Sequence, residues 1–427
     1  MSGLIFKEWK KIIVSLMFVL YTLVIVAMYY SQLGGDLETP ECEPAAGSGD
    51  YGSVIKEDPD ILMPAATEHL LREYLNGYYV TYPIFYKEVK LKDHDKARVE
   101  EILHELTGLT VEELEGFTDF KDSGYDIEND DSGNPVYTYQ EAVYPEYEMQ
   151  PVDYEHFREL MGEVDEMLGG HSFYAVEDLV NNFSRVPKTY EMALEEYQTM
   201  MQPANLGKAY VRLYCDYMGI ILAVIPVFVA AVLWIADRRA HMESLIYSRK
   251  ISSFKLVGIR YLALVSAMMF PVVLTVLHMI VKVEGMYPNQ SISWLPAVGL
   301  GLYWLLPYVL AVTSMAIFIS ELLSPFLAIF VQCMWWFLSL EGNELVGSIT
   351  RWTLLLRHNR LGGEDIFAAQ FTDFIWNRTF YLLLSVVCLL LSMMIYDKKR
   401  NGAFGRKERW SSACKNIFRN RKNKSAA

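Results

Sequence analysis

The chain has 427 residues, of which 52% are hydrophobic and 14% aromatic, with a formal net charge of −14. Apolar content at that level excludes a disordered chain, and five cysteines at this length exclude a disulfide-stapled miniprotein. Charge and hydropathy are segregated: residues 31–208 hold 39 acidic and 12 basic side chains, a net of −27, and the remainder carries +13.

In chain order, residues 1–11 are basic, with Lys7, Lys10 and Lys11 against Glu8. A charge-free run, 12–30, follows and is long enough for a first span. The run exceeds a signal-peptide core, and Ser31 to Gly34 offers no clear cleavage site, so it reads as a retained anchor. Residues 31–208 form the acidic segment, opened by a Gly-, Pro- and Asp-rich linker. Helical spacing of apolar residues marks 66–75, 95–106, 153–168 and 187–201, and Thr110 with Glu113 fits a capping box. Alternation at 78–91 and 136–149 is strand-like, so the expected fold of this domain is helix-rich α+β. Six acids lie between Asp119 and Asp131. A calcium loop starting at Asp126 would need glycine where Asp131 stands, so a solvated acidic turn is the expectation.

Further apolar runs at 213–236, 261–281, 294–320, 322–340 and 379–396 complete an expected set of six transmembrane helices. The loop 237–260 is +4 and the tail 397–427 is +9, and the N-terminal segment is basic too. Positive charge marks the cytoplasmic side, which places both termini there and residues 31–208 outside, in a multi-pass plasma-membrane protein. His278 inside the third run reads as a packing residue. Glu321 reads as part of a tight turn. Residues 341–378 read as an outer amphipathic segment, for which packing on the acidic domain is one expectation. The basic tail suits anionic lipid better than nucleic acid.

Enzyme motifs are absent. The nearest approach to a phosphate-binding loop, Gly207-Lys208-Ala209, lacks the Ser/Thr after lysine and the first glycine. No catalytic, cofactor or metal residues are assigned, and the histidines show no metal-ligand spacing.

The loop 237–260 carries the functional argument. Met242, Leu245 and Ile246 fall on one face of a short helix, with Asp237, Arg238, Arg239 and Glu243 beside them and Lys255 beyond. Such a helix suits docking to a protein or to headgroups. This pattern of an acid, two bases, a glutamate, an apolar stretch, a serine and a base resembles the coupling loop of type-2 ABC exporter permeases with a large extracellular insertion. His241 and Lys250 depart from the glycine and proline common there, which leaves the turn geometry open. Leu4–Lys11 likewise resembles the amphipathic connecting helix that precedes the first span in that class, and the resemblance implies a permease subunit that binds no cofactor itself, with residues 341–378 forming short helices that dip into the outer leaflet. A separate ATPase subunit using ATP and Mg would dock on Asp237, Arg238, Arg239, Met242, Glu243, Leu245, Ile246 and Lys255. A second permease, identical or paired, would complete the unit. The alternative is a membrane receptor or assembly factor that uses the acidic domain to bind a ligand or partner.

Overall fold

The computed structural model describes residues 2–82, 86–117, 124–129, 135–140, 143–236, 240, 242–248, 250–340 and 349–402; for 124–129 and 135–140 the account is of the backbone. The chain divides into two compact units, Met1–Glu43 with Leu194–Ala427, and Pro44–Ala193. The compact unit Pro44–Ala193 lies within the expected acidic segment 31–208.

The membrane unit opens with α1 (Ser2–Ile13) and α2 (Leu16–Leu33), then a 3-10 turn at Gly35–Leu37. Ser15 separates the two helices by accepting a hydrogen bond from the Phe18 N–H at 3.2 Å, which starts α2 in a new direction.

The inserted unit contains β1 (Ser53–Ile55), α3 (Pro59–Asn76), β2 (Tyr79–Thr81), β3 (Lys87–Val89), α4 (Asp93–Thr107) and α5 (Val111–Gly116). It continues with β4 (Gly124–Asn129), β5 (Pro135–Gln140), α6 (Tyr154–Leu168), α7 (Leu179–Phe183) and β6 (Arg185–Pro187). The helix ends follow side-chain chemistry. Asp58 and Asp153 cap α3 and α6, and Thr110 and Glu113 form the expected capping box on α5. Gly77 and Gly169 stop α3 and α6 at φ of 73° and 92°, where a side chain would be strained. Leu62, Leu70 and Leu71 of α3, Val99, Ile102 and Leu103 of α4, and Phe157, Met161 and Val164 of α6 are fully buried together as the core. The described strands make three two-stranded antiparallel pairs, β1 with β6, β2 with β3 and β4 with β5. None is a sheet that could organise a layer, so the α+β expectation is corrected to a helical unit with three small hairpin-sized sheets.

Helix α8 (Tyr190–Met200) leads back to the membrane unit, which continues as α9 (Leu206–Leu222), α10 (Pro226–Trp234), α11 (Glu243–Tyr247) and α12 (Ser253–Met286). Then follow α13 (Trp294–Leu322), α14 (Pro325–Leu340), α15 (Glu364–Ala369) and α16 (Phe371–Arg400). Gly207 lies inside α9, where an added Cβ would stand 3.0 Å from Ile292, so it serves helix packing.

The expected six spans are corrected to four: among the described residues, α2, α12, α13 and α16 are the helices long and apolar enough to cross a membrane. The pair α9 and α10 is bent by 42° at Ala223–Ile225 and makes a fifth only if it counts as one span. Pro226 has no N–H to continue the ladder. The Val224 N–H turns back to the Ile221 carbonyl, which leaves the Ile220 carbonyl open. Trp336 Nε1 fills it at 2.9 Å, and Gln332 Nε2 donates to the Ala223 carbonyl at 2.7 Å. Both donors come from α14, which has 16 residues and is about 24 Å long, short of a hydrocarbon core of about 30 Å. A charge-free run counts residues and says nothing of a break in the backbone, and that difference separates six runs from four spans.

Candidate functional site

Two polar assemblies sit at opposite ends of the membrane unit. The first gathers the basic elements. Glu321, in the last turn of α13, is buried and receives Trp234 Nε1 from α10 at 2.6 Å and Lys399 Nζ from α16 at 2.7 Å. Lys399 donates to the Glu321 backbone carbonyl as well. Arg400, the next residue, donates from Nε to the Tyr247 carbonyl at 3.1 Å and from Nη1 to the Ile251 carbonyl. The expected tight turn is Leu323–Ser324 between α13 and α14, and Glu321 just before it is a buried junction of three helices. At the same end, Arg260 of α12 lies 3.5 Å from Glu8 of α1.

The short helix α11 is held by this junction. Ile246, Tyr247 and Ile251 pack on the cluster of Leu256, Val257, Met393 and Tyr396, and the Tyr247 and Tyr396 rings meet edge to face at 5.7 Å. Met242 and Leu245 are 42% and 50% exposed. The expected common face of Met242, Leu245 and Ile246 is therefore split: two point out, and Ile246 points into α12 and α16. Lys255 is exposed in the first turn of α12, where Ser252 Oγ accepts its backbone N–H at 3.2 Å. Asp237, Arg238 and Arg239 lie outside the described residues, as does His241, and for Glu243 the backbone places it at the start of α11.

The second assembly holds residues 349–363, an irregular stretch in which Leu354, Leu355 and Leu356 are buried. Backbone of this kind at membrane depth is tolerated only where protein groups satisfy its N–H and C=O groups. Asp216 of α9 accepts the His358 and Asn359 N–H groups at 2.8 Å each, and Tyr308 of α13 accepts the Leu356 N–H at 3.0 Å. Asn377 of α16 donates to the Thr350 and Thr353 carbonyls at 2.8 and 2.9 Å, and Tyr381 donates to the Trp352 carbonyl. One turn before Asp216, Arg212 is fully buried and grips both oxygens of Glu364 at 2.6 and 2.7 Å. Arg378, also fully buried, donates to the Trp304 carbonyl at 3.0 Å and lies 4.3 Å from the Tyr308 ring centre. Among the described residues of this segment the expected short helices reduce to α15, and α16 begins at Phe371 rather than near residue 379.

No family model, curated protein or solved structure matches the chain.

Among the described residues, no three His, Cys, Asp or Glu side chains gather to hold a metal ion. The acidic stretch 119–131 falls outside them except for the backbone of β4. Cys42, Cys215, Cys333 and Cys388 are free thiols. His278 shares a hydrogen bond with the Tyr29 hydroxyl at 2.7 Å, which suits its expected packing role. Reading by residue type missed both clamps. Arg212 and Asp216 stand one helical turn apart at the mouth of an apolar run, and that i, i+4 charge spacing was the available signal. Lys399 and Arg400 were absorbed into a generic basic tail.

Proposed function

We propose that the chain is the membrane subunit of an ATP-driven ABC transporter, an exporter of the plasma membrane, whose energy comes from a separate ATPase docking on α11. We place the basic end bearing α1, α11 and the end of α16 at the cytoplasm, in keeping with the charge bias of short loops, which requires the bent pair α9–α10 and the short helix α14 each to carry the chain from one end of the unit to the other. The reading rests on one arrangement. Leu245 projects from a short helix, with Met242 exposed just before its start, and the other side of that helix is bonded to α12 and α16 through Ile246, Tyr247 and the Arg400 contacts. A push on the exposed side reaches the spanning helices through that fixed side. ATP binding in the partner moves the permease only if the two states differ in these contacts. The chain supplies no catalysis of its own, and a second permease completes the unit.

The test is recovery of nucleotide hydrolysis with the affinity-tagged full chain from membranes of its own host. Wild type should bring down a Mg-dependent ATPase. Met242→Ala with Leu245→Ala should lower the recovered activity at least about ten-fold at unchanged chain level, because two apolar contacts are lost. Recovery of no ATPase by wild type, or equal recovery by the variant, sinks the reading.

A further inference from the structure

Residues 144–150 of the inserted unit have no regular structure, and exposure alternates along their second half. Tyr147 and Met149 are half-buried, and Glu146, Glu148 and Gln150 are exposed. That two-residue period is the one an extended chain shows. The segment is pinned at its end, where the Gln150 N–H donates to the Leu106 carbonyl at 2.9 Å. Among the described residues, the N–H groups of Glu146, Tyr147, Glu148 and Met149 find no acceptor. An open groove of about 710 Å³ lies against this segment, lined by Pro64 of α3, Tyr144, Glu146, Tyr147, Glu148 and Met149. The Tyr144 and Tyr147 rings stand 6.5 Å apart, tilted by 45°, and both pack on the core of the unit. The carboxylates of Glu146 and Glu148 have no partner among the described residues, and Glu68 of α3 adds its charge near Tyr147.

We propose that this groove binds a basic peptide as an added strand, with its backbone paired to residues 146–149 and its lysines or arginines opposite Glu146 and Glu148. The side chains between them lie against Tyr144, Tyr147 and Met149. In strand addition, open main-chain groups supply affinity and pockets for alternate side chains supply specificity. Charge selects the occupant. Two carboxylates on the edge repel a second copy of the same edge and favour a chain that carries bases. Residues 44–193 hold 33 acidic and 11 basic side chains, so the field of the whole unit draws cations in. Tyrosine faces beside the carboxylates add attraction for a cationic side chain. Such binding needs no ATPase, so its failure leaves the docking on α11 untouched.

The test titrates the full chain in non-ionic detergent with a fluorescent eight-residue peptide that alternates lysine and valine. Wild type should bind it at least about ten-fold more tightly than the glutamate–valine counterpart, whose charges face Glu146 and Glu148 with the same sign. Methylating the peptide's edge-facing nitrogens keeps its charge, removes its donors and should cost about ten-fold. Glu146→Gln with Glu148→Gln should weaken binding about five-fold through two cross-strand charge pairs, and molar salt should erase that difference. Both positions are exposed, so this variant keeps the fold. Tyr147→Leu should weaken binding about three-fold, and the glutamine variant decides the matter if that protein does not fold. No binding of the lysine–valine peptide at millimolar concentration overturns the site, as does equal binding by wild type and the glutamine variant. Undiminished binding of the methylated peptide, or displacement by millimolar tetramethylammonium, overturns the added strand and leaves a site for small cations.

Discussion

Lys399 and Glu321 join the end of the last helix to the end of α13 through an ion pair of 2.7 Å, with Glu321 almost wholly buried. Trp234 donates to the other carboxylate oxygen, so Glu321 has a partner on each side. A buried carboxylate deprived of its cation carries an uncompensated charge, which costs several times what the pair contributes. Lys399→Met is expected to destabilise the membrane unit by about 3 kcal/mol, and Lys399→Met with Glu321→Gln by clearly less. Thermal unfolding in detergent checks this. Equal losses in the two proteins would show that the charge is not the cause.

The Arg212–Glu364 fork anchors α15 and the stretch before it to α9. Glu364→Gln keeps the volume and leaves Arg212 buried with a weakened partner. Residues 349–363 should then exchange backbone amide hydrogens at least about ten-fold faster, as a loss of about 1.4 kcal/mol or more requires. Exchange mass spectrometry on α2 serves as the internal control, since its rate should not change.

Gln332 fills the Ala223 carbonyl that the Pro226 break leaves open. Gln332→Leu should cost about 1–3 kcal/mol, the penalty of a buried acceptor left without a donor. Adding Pro226→Ala restores the N–H aimed at the Leu222 carbonyl; a continuous helix would then turn the Val227 N–H from the Val224 carbonyl back to Ala223, recovering part of that loss. If the double variant is no more stable than Gln332→Leu, the break is set by packing and not by the proline.

In the inserted unit, burial pushes the Glu73 carboxyl up to about 7, against hydrogen bonds from Tyr174 and the Val80 N–H that pull it down. The Tyr174 hydroxyl donates to Glu73 at 2.6 Å and also meets His69 Nδ1 at 2.8 Å; the Tyr74 and Tyr79 rings and Arg72 lie on the same helix or the adjoining strand. A carboxyl that is harder to ionise when folded favours folding below its folded value. Stability therefore falls as pH rises from about 4.5 to about 7 and is level above, by on the order of 3 kcal/mol. Protection of the α3 amides, corrected for intrinsic exchange, should fall across that window, and Glu73→Gln should abolish the dependence.

Much of the inserted unit could be read in advance because its signals are local. Asp153 and Gly169 bracket α6, and Thr110 with Glu113 opens α5, each by chemistry within four residues of the boundary. Helix α7 and the β1–β6 pairing were not legible, since Val54 finds Val186 only after the chain has folded back across more than a hundred residues. In the membrane unit the apolar runs were legible and their continuity was not. Whether Pro226 bends a span or merely kinks it depends on Gln332 and Trp336, which come from another helix. The same holds for the candidate site. Met242 and Leu245 stood out by residue type and prove exposed, whereas the partner that fixes their helix, Arg400, lies far along the chain and looked like any other base in a basic stretch.

Arg378 has consequences for the order of events during synthesis. It sits in the third turn of α16, fully buried, with its guanidinium against the Tyr308 ring and the Trp304 and Leu354 carbonyls, groups that all precede it in the chain. A lone arginine entering lipid costs about 2.5–3.5 kcal/mol at a helix centre by insertion scales. The last helix thus has a reason to stay beside the insertion machinery until α13 and the 349–363 stretch are there to receive it. Biogenesis of this protein would then run as an ordered handover, in which a late helix is admitted to the bilayer only in the company of its earlier partners.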